Sequence, residues 1–281
     1  MKRIFSYPYK ALKIAQEEGV KQSILSTRSF ISNKWEMKFQ HWKHKYTYRT
    51  DFPSPYRLIN INPQKVEFLL APRFQNRRPS HGTYIESGSW DKRYTDEKLV
   101  WANNYEDKFQ IPHLVTFNNY VFYRSVDNHF NKGVKWDQTE IYHWFIENLE
   151  EKSVSRYNTE ENIIERLKWI DDLYNSIKKD GYKKQSELRN PEVLSKPPEY
   201  NEVRVNIGRN GEIIFDDGRH RFVIAKILNL DTIPVRVFVR HEEWQKLRSK
   251  VATAKKPDEL SAEAIEYLDH PDMQDVASFN G

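Results

Sequence analysis

The stretch VRVNIGRNGEIIFDDGRHRFVIAKILNLDTIPVRVFV, residues 203–239, decides the fold of this chain. Apolar residues flank Asn210-Gly211, a pair favoured in type I′ turns, so an antiparallel hairpin is expected there. The pattern predicts, in order, a strand over 203–207, a strand over 212–215, a turn at 216–218, a helix over 219–230 and a strand over 233–239. This order predicts an α+β fold with a small mixed sheet and surrounding helices.

Elements predicted outside this stretch extend the same plan. The clearest is a helix over 159–179, because Thr159 can cap it, two glutamates occupy its first turn and Gly181 ends it. The other predictions are helical structure over 7–48, a strand over 56–61 with Asn62 as a cap for a short helix over 64–70, a strand and turn over 82–90, a helix over 139–149, a loop over 190–200, and helices over 242–254 and 261–268.

Composition excludes several classes of protein. Aromatic residues make up 14% of the 281 residues, which is too many for a disordered chain. The sequence contains no cysteine, so disulfide scaffolds, thiolate zinc sites and cysteine catalysis are excluded, and a cytoplasmic location is expected. No stretch approaches about 20 apolar residues, so no partnership with a membrane is expected. Lys10 and Lys13 interrupt any signal-peptide core.

Charge is unevenly distributed along the chain. Residues 257–281 hold seven acids and no lysine or arginine, so residues 1–256 carry +12 although the whole chain carries +5. A basic body favours partners that bear phosphate. The acidic end could screen that body, but a solvated helix is the preferred interpretation.

The segment FDDGRHR, residues 215–221, carries the site hypothesis. A helix that starts here offers unpaired N–H groups and a partial positive charge, which suit a phosphate. Arg219 and Arg221 add fork-shaped donors. His220 can donate a hydrogen bond or move a proton, and Gly218 permits a positive φ or a close approach of the ligand.

Two aspartates precede this turn. Asp217 is expected to cap the helix or to hold Mg²⁺, and Asp216 is the candidate acid or base. The catalytic candidates are therefore Asp216, Asp217 and His220. The alternative is an ordinary Asp-Gly turn whose charged side chains are merely solvated.

The order of these motifs resembles the ParB/sulfiredoxin superfamily. That core has a helix of the pattern L-x-x-S-I-x-x-x-G, a strand pair, a phosphate-binding D-G-x-x-R turn with its helix, and a strand that begins I-P-V. The matching residues are Leu173-Tyr174-Asn175-Ser176-Ile177, Gly181-Tyr182, Asp217-Gly218-Arg219-His220-Arg221, Ala225, Leu228, Leu230 and Ile233-Pro234-Val235. Residues 56–63 resemble the family's first strand with its trailing Asn-Pro.

The resemblance implies a division of the chain. The core region, 56–241, would consist of segments 56–72 and 167–241 with a large insertion over 73–166. An N-terminal helical extension would occupy 1–55, and C-terminal helices with the acidic tail would occupy 242–281.

The resemblance also implies nucleotide-phosphate binding at the turn. Members of the superfamily hydrolyse CTP, use ATP to repair oxidised peroxiredoxin, phosphorylate free serine or cleave DNA. Arg219 stands where sulfiredoxin has its cysteine, so reduction of a sulfinic acid is excluded. No helix-turn-helix module is recognised after His241, which argues against a chromosome-partition clamp. ATP or CTP with Mg²⁺ is the implied ligand.

An aromatic stripe near the N-terminus allows two interpretations. Its members fall at helical spacing beside several lysines: Trp35, Phe39, Trp42 and Tyr46. Exposed rings of this kind can stack nucleic-acid bases, whereas ordinary amphipathicity predicts that they dock on the core. The neighbouring His41 and His44 lack a third metal ligand, so a surface pair is expected.

Two further groups could serve the site or only the fold. Asp91, in the turn GSWDKR over 88–93, is either a base in a pocket or the partner of a surface arginine beside a packed Trp. Arg236, Arg240 and His241 either add positive potential beside the turn or occupy exposed positions of the last strand.

The leading hypothesis is a nucleotide-dependent enzyme, either a phosphotransferase or an NTP hydrolase. The alternative is a nucleic-acid-binding or nuclease module that grips a DNA or RNA phosphate with the same turn. A third class is a scaffold that kept the fold and lost the chemistry.

Overall fold

A mixed open sheet of seven strands organises the described part of the chain. The computed structural model describes residues 53–70, 83–92, 114–149, 159–189 and 197–277, together with Phe39, Trp42 and Tyr46. The strands are β1 (Leu58–Ile61), β2 (Phe68–Leu70), β3 (Tyr84–Glu86), β4 (Leu114–Thr116), β5 (Arg204–Ile207), β6 (Ile213–Asp217) and β7 (Ile233–His241).

The strand order is β1-β7-β5-β6-β2-β4. Strand β3 pairs with the last residues of β7, on the edge of β7 that also carries β1. The pairs β7–β5, β6–β2 and β3–β7 are parallel, whereas β1–β7, β5–β6 and β2–β4 are antiparallel. Long β7 is buried along its whole length, because it has neighbours on both edges.

Seven α-helices accompany the sheet in the described ranges. They are α1 (Val121–Lys132), α2 (Glu140–Glu147), α3 (Glu160–Asp180), α4 (Gln185–Leu188), α5 (Arg219–Ile227), α6 (Glu242–Thr253) and α7 (Ala262–Glu266). Helices α1 and α3 both contact α5. The start of α5 therefore lies against two helices that come from distant parts of the sequence.

The two faces of the central strands differ in chemistry. One face packs aliphatic and aromatic side chains against α1, α3 and α5 to form the main core, including Val205, Phe215 and Val237. The other face is also buried but mixes polar and apolar side chains. Ile214 and Phe238 lie there among polar residues, which are Arg204, Asn206, Asp216, Arg236 and Arg240. Buried charges require partners, and those contacts shape the site described below.

Several sequence predictions are confirmed. The fold is α+β with a mixed sheet, and the predicted helix over 159–179 is α3. Thr159 Oγ1 accepts a hydrogen bond from Asn162 N at 3.3 Å, and Gly181 ends the helix with a φ of 79°. The predicted cap at Asn62 is also present, since its Oδ1 accepts from Gln64 N at 2.7 Å.

The predicted short helix over 64–70 is wrong. Only Pro63–Lys65 forms a single 3₁₀ turn, and Phe68–Leu70 is strand β2. All three residues of β2 are buried, and they pair with β6 on one side and β4 on the other. The burial of a central strand therefore overrides the local helical pattern.

The predicted hairpin has a different turn. Asn210 does not have the positive φ that a type I′ turn requires. Instead Gly211 N donates to Gly208 O at 3.1 Å, and Gly211 alone takes a φ of 73°. Trp244 packs here, because a Cβ on Gly211 would lie 2.7 Å from its ring. In addition, both aspartates of the predicted turn at 216–218 belong to strand β6.

The segment predicted as an insertion is part of the same structure. Strands β3 and β4, from within 73–166, join the central sheet. Side chains of α1 and α2, such as Val126 and Trp144, belong to the main core together with Ile163 of α3. Within the described ranges, this segment does not form a separate domain.

The acidic end is not simply solvated. Asp272 is fully buried and accepts from Arg240 Nε at 2.8 Å and Arg240 Nη2 at 2.6 Å. Trp244 Nε1 and Arg57 Nη1 donate to the same carboxylate. The preferred interpretation of a solvated acidic helix is therefore corrected for this residue, which anchors the C-terminal segment to β7 and α6.

Within the described residues, no helix combines the length and the apolar character needed to cross a bilayer.

Candidate functional site

The turn between β6 and α5 requires glycine at Gly218. Its backbone has a φ of 91° and a ψ of 31°, a left-handed conformation. A Cβ at this position would lie 3.0 Å from Val203 Cα and 3.1 Å from Val203 Cγ2. Gly218 occupies the N-cap position, so Asp217 does not cap α5 as predicted. Asp217 Oδ1 instead accepts a hydrogen bond from Gly218 N at 2.7 Å.

Arg219 lies at the first position of α5 and forms no ion pair with any described residue. Its guanidinium lies close to the hydroxyl of Tyr120, and its Cζ lies 5.6 Å from the centre of the Phe122 ring. Burial raises the pKa of Tyr120, so this hydroxyl is neutral. The positive charge of Arg219 thus lies at the positive end of the α5 dipole, with no carboxylate partner in the part of the chain that the structure describes.

Arg221 has a different environment. Its Nη1 lies 3.0 Å from Glu202 Oε2, its Nη2 donates to Lys183 O, and its guanidinium lies 4.2 Å from the centre of the Tyr182 ring. Side-chain exposure is 13% for Arg221 and 1% for Glu202. The structure therefore does not bring Arg221 together with Arg219 as the predicted pair of phosphate donors.

His220 is enclosed by side chains of α1 and α3. The rings of Phe122 and Trp169 lie 5.1 Å and 5.2 Å from its ring, measured between centres. Arg166 Nη2 lies 2.9 Å from His220 Nε2. Burial, followed by the charges of Arg166 and Arg219, lowers the pKa of His220 to about 2. His220 is therefore neutral at neutral pH and adds no charge for binding phosphate.

Asp216 is buried behind the turn. Its Oδ2 lies 2.9 Å from Arg204 Nε, and its Oδ1 is 3.4 Å from Asn206 Nδ2. Burial raises the pKa of Asp216 to about 6 against the opposing effect of Arg204. Arg204 Nη2 also lies 3.2 Å from Asp217 Oδ2. Arg204 therefore joins the buried carboxylate to the exposed one at the turn.

The described residues do not form a protein-held Mg²⁺ site at the turn. No cluster of three or more metal-binding side chains occurs among them. Asp217 is the predicted ligand, but its oxygens already face Gly218 N and Arg204. Asp216 is ion-paired behind it. The donor set therefore fits a resident Mg²⁺ poorly.

Asp91 has a structural partner. Arg209 donates to its Oδ1 from Nη2 at 2.7 Å, and the backbone N of Arg209 donates to Oδ2 at 2.7 Å. Burial favours a higher pKa for Asp91, but the hydrogen bonds from Arg209 outweigh burial and lower it. His241 Nε2 bonds to Gly88 O at 3.1 Å. These contacts support the interpretation that the GSWDKR turn stabilises the fold.

Arg236 and Arg240 are buried rather than exposed, so they do not extend a positive surface beside the turn. The guanidinium of Arg236 lies 5.6 Å from the Tyr200 ring centre and 5.8 Å from that of Phe238. Burial lowers the pKa of Arg236 to about 10. Arg240 is engaged by Asp272, as described above.

Three members of the aromatic stripe are described, and all are exposed. Phe39, Trp42 and Tyr46 have helical backbones and side chains that are 59%, 63% and 79% exposed. Their neighbouring ring centres lie 6.3 Å and 5.9 Å apart. The expectation that this face docks on the core is wrong for these residues. Trp35, His41 and His44 lie outside the described residues.

Sequence reasoning missed the residues that other elements bring to the turn. These are Tyr120, Arg166, Trp169, Glu202 and Arg204. One signal was present in the sequence, because Trp169 lies off the apolar stripe through which its helix joins the core. The other four carry no local pattern, because their neighbours lie up to about a hundred residues away in sequence.

No family model matches this chain, and searches among curated proteins and solved structures found no match either.

Proposed function

We propose that the start of α5 binds the phosphate of a nucleotide, and that the protein is a nucleotide-dependent phosphotransferase or NTP hydrolase. The observation that carries this proposal is the state of Arg219, a cation at a helix N-terminus with no carboxylate partner among the described residues. A helix N-terminus prefers negative charge. A phosphate would relieve this conflict and would accept the backbone donors of the first turn.

The order of secondary structure supports the ParB/sulfiredoxin interpretation. A hairpin, β5–β6, leads through a glycine turn into α5, and β7 then pairs parallel with β5. Helix α3, which bears the L-x-x-S-I pattern, packs against α5. The α5 turn would correspond to the D-G-x-x-R turn of that superfamily, although the arginine of that pattern falls on Arg221, which here pairs with Glu202. Nucleotide phosphate is therefore the proposed ligand, with ATP or CTP as the first candidates and with Arg219 in place of the motif's arginine.

The chemistry would depend mainly on positioning and charge, as in phosphoryl transfer generally. Arg219 would bind phosphate oxygens, and neutral His220 would hold Arg166 beside them. Asp216 has a pKa near neutrality, which suits an acid or base. However, it is 1% exposed and paired with Arg204, and an arginine cannot relay a proton. Asp216 would therefore act mainly by orienting Arg204 and, through it, Asp217. Mg²⁺ would arrive as the counter-ion of the nucleotide.

A thermal-shift experiment tests nucleotide binding. ATP and CTP, each with and without Mg²⁺, are added to the wild-type chain, Arg219→Ala and Arg221→Ala. A ligand at 100 times its Kd stabilises a protein by about 2.7 kcal/mol if it binds only the native state. We expect Arg219→Ala to lose this stabilisation.

Arg221→Ala is the matched control. It lowers the melting temperature of the free protein, because Glu202 loses its partner, but it should retain the nucleotide-induced shift. No shift of the wild-type protein with any nucleotide would contradict the proposal.

A second candidate function is nucleic-acid binding, and one observation favours it. Phe39, Trp42 and Tyr46 present three neighbouring exposed rings, an arrangement suited to base stacking. In this case the α5 turn would bind a DNA or RNA backbone phosphate. Salt-dependent binding of oligonucleotides without binding of mononucleotides would favour this function over the first.

A further inference from the structure

Trp169 is a large apolar side chain of α3 that does not belong to the main core. The residues of α3 that enter the core are Ile163, Leu167, Ile170 and Ile177, and Trp169 lies outside this stripe. Its side chain is 42% exposed. A single exposed apolar residue is ordinary on a protein surface, so its meaning depends on what surrounds it.

Arg166 links this indole to the start of α5. Its Cζ lies 4.0 Å from the centre of the Trp169 ring, and its Nη2 lies 2.9 Å from His220 Nε2. A guanidinium stacked on an indole is attracted by the ring and has less rotational freedom. Arg166 is therefore held in place beside the second residue of α5.

The indole lies near the start of α5, with His220 between it and the proposed phosphate site. The ring centres of Trp169 and His220 lie 5.2 Å apart, and His220 directly follows Arg219 in the first turn of α5. An inorganic phosphate would bind the arginines and the N-terminus of α5 without contacting the indole. A ligand that carries both a phosphate and a flat aromatic ring would contact the arginines and the indole together.

We propose that Trp169 is the base-binding residue of this site, where the nucleobase stacks on the exposed part of the indole while the phosphates lie at Arg219 and Arg166. This inference rests on the proposed nucleotide-binding function, and it identifies the residue that would bind the base. Stacking tolerates any base because each has a π face. A purine has the larger ring system, so ATP should bind more tightly than CTP.

The test compares ATP with inorganic tripolyphosphate, which carries the three phosphates without the base. Affinities are measured by isothermal titration calorimetry for the wild-type chain, Trp169→Ala, Trp169→Phe and Arg219→Ala. Ile164→Ala is the matched control, because Ile164 is an exposed apolar residue of the same helix at 38%. Quenching of indole fluorescence by ATP gives a second readout.

We expect Trp169→Ala to weaken ATP binding by about tenfold, within the range for removal of one base–aromatic stack. Its affinity for tripolyphosphate should not change, and Trp169→Phe should retain most of the ATP affinity. Arg219→Ala should weaken both ligands, and Ile164→Ala neither.

An unchanged ATP affinity in Trp169→Ala would overturn the inference. Equal weakening of both ligands by Trp169→Ala would also overturn it, because that result indicates a structural role for the indole. Failure of the wild-type protein to bind either ligand would remove the proposed function and this inference with it. If tripolyphosphate binding depends on Arg219 and Trp169→Ala has no effect on ATP binding, the base-binding role of Trp169 is refuted but the proposed phosphate site is not.

Discussion

Replacement of Gly218 by alanine tests the geometry of the turn. The new Cβ would lie 3.0 Å from the backbone Cα of Val203, and the residue would keep a φ of 91°. A left-handed conformation costs a residue with a Cβ about 1–2 kcal/mol. Alanine also lowers the conformational entropy of the unfolded chain, which offsets about 0.4–1 kcal/mol of this cost. The contact with Val203 adds about 1–3 kcal/mol, as overpacking generally does. We expect a total loss of about 2–4 kcal/mol.

Gly133→Ala separates the two contributions. Gly133 ends α1 with a φ of 70°, and a Cβ there would meet nothing within 4 Å. Its substitution should therefore cost only the conformational part, about 1 kcal/mol. The free energy of unfolding is measured by urea denaturation, and the slope of that free energy against urea should be the same for both variants. Equal losses for Gly218→Ala and Gly133→Ala would refute the close approach to Val203.

Asp216 and Asp272, which are both buried, should respond to pH in opposite directions. Burial raises the pKa of Asp216 to about 6 from 3.8. Its contribution to the free energy of unfolding is therefore greatest below pH 4 and is lost as pH rises towards 6. Asp216→Asn should remove this part of the dependence of stability on pH. For Asp272, burial favours a higher pKa, but Arg240 and its other donors outweigh burial and lower it, so its contribution is present above pH 4 and is lost in acid. Asp272→Asn should cost about 3–5 kcal/mol at pH 7, because buried arginines lose their partner. Urea denaturation from pH 3 to pH 8 checks both expectations, and a flat difference between wild type and Asp216→Asn would contradict the first.

The fold was predictable where local patterns and tertiary packing agree. The helix α3 has its cap, its apolar stripe and its terminal glycine in one continuous stretch. Strand β2 was not predictable, because three apolar residues after a 3₁₀ turn carry no period that distinguishes a helix from a buried strand. Pairing with β6 and β4 decided its structure, and such long-range pairing cannot be read from a local window.

The site was predictable at its backbone and not at its side chains. Gly218 and the start of α5 lie where the sequence placed them. The partners of Arg221 and His220 come from elements far along the chain, namely Glu202 and Arg166. The charge partners of these residues depend on the packing of α3 and of the segment before β5. The sequence Arg-His-Arg therefore wrongly predicted that Arg219 and Arg221 act together on one phosphate. Arg221 is paired with Glu202, whereas Arg219 has no carboxylate partner among the described residues.

Phosphate binding at the start of α5 is measured most directly by titrating the ¹⁵N-labelled chain with tripolyphosphate and following the backbone amide chemical shifts. Phosphate bound at the start of α5 should shift the amides of Arg219 and His220 most strongly, with half-saturation at one common concentration. Saturable shifts centred on another part of the chain, or no shifts at these two amides, would contradict a phosphate site at this helix.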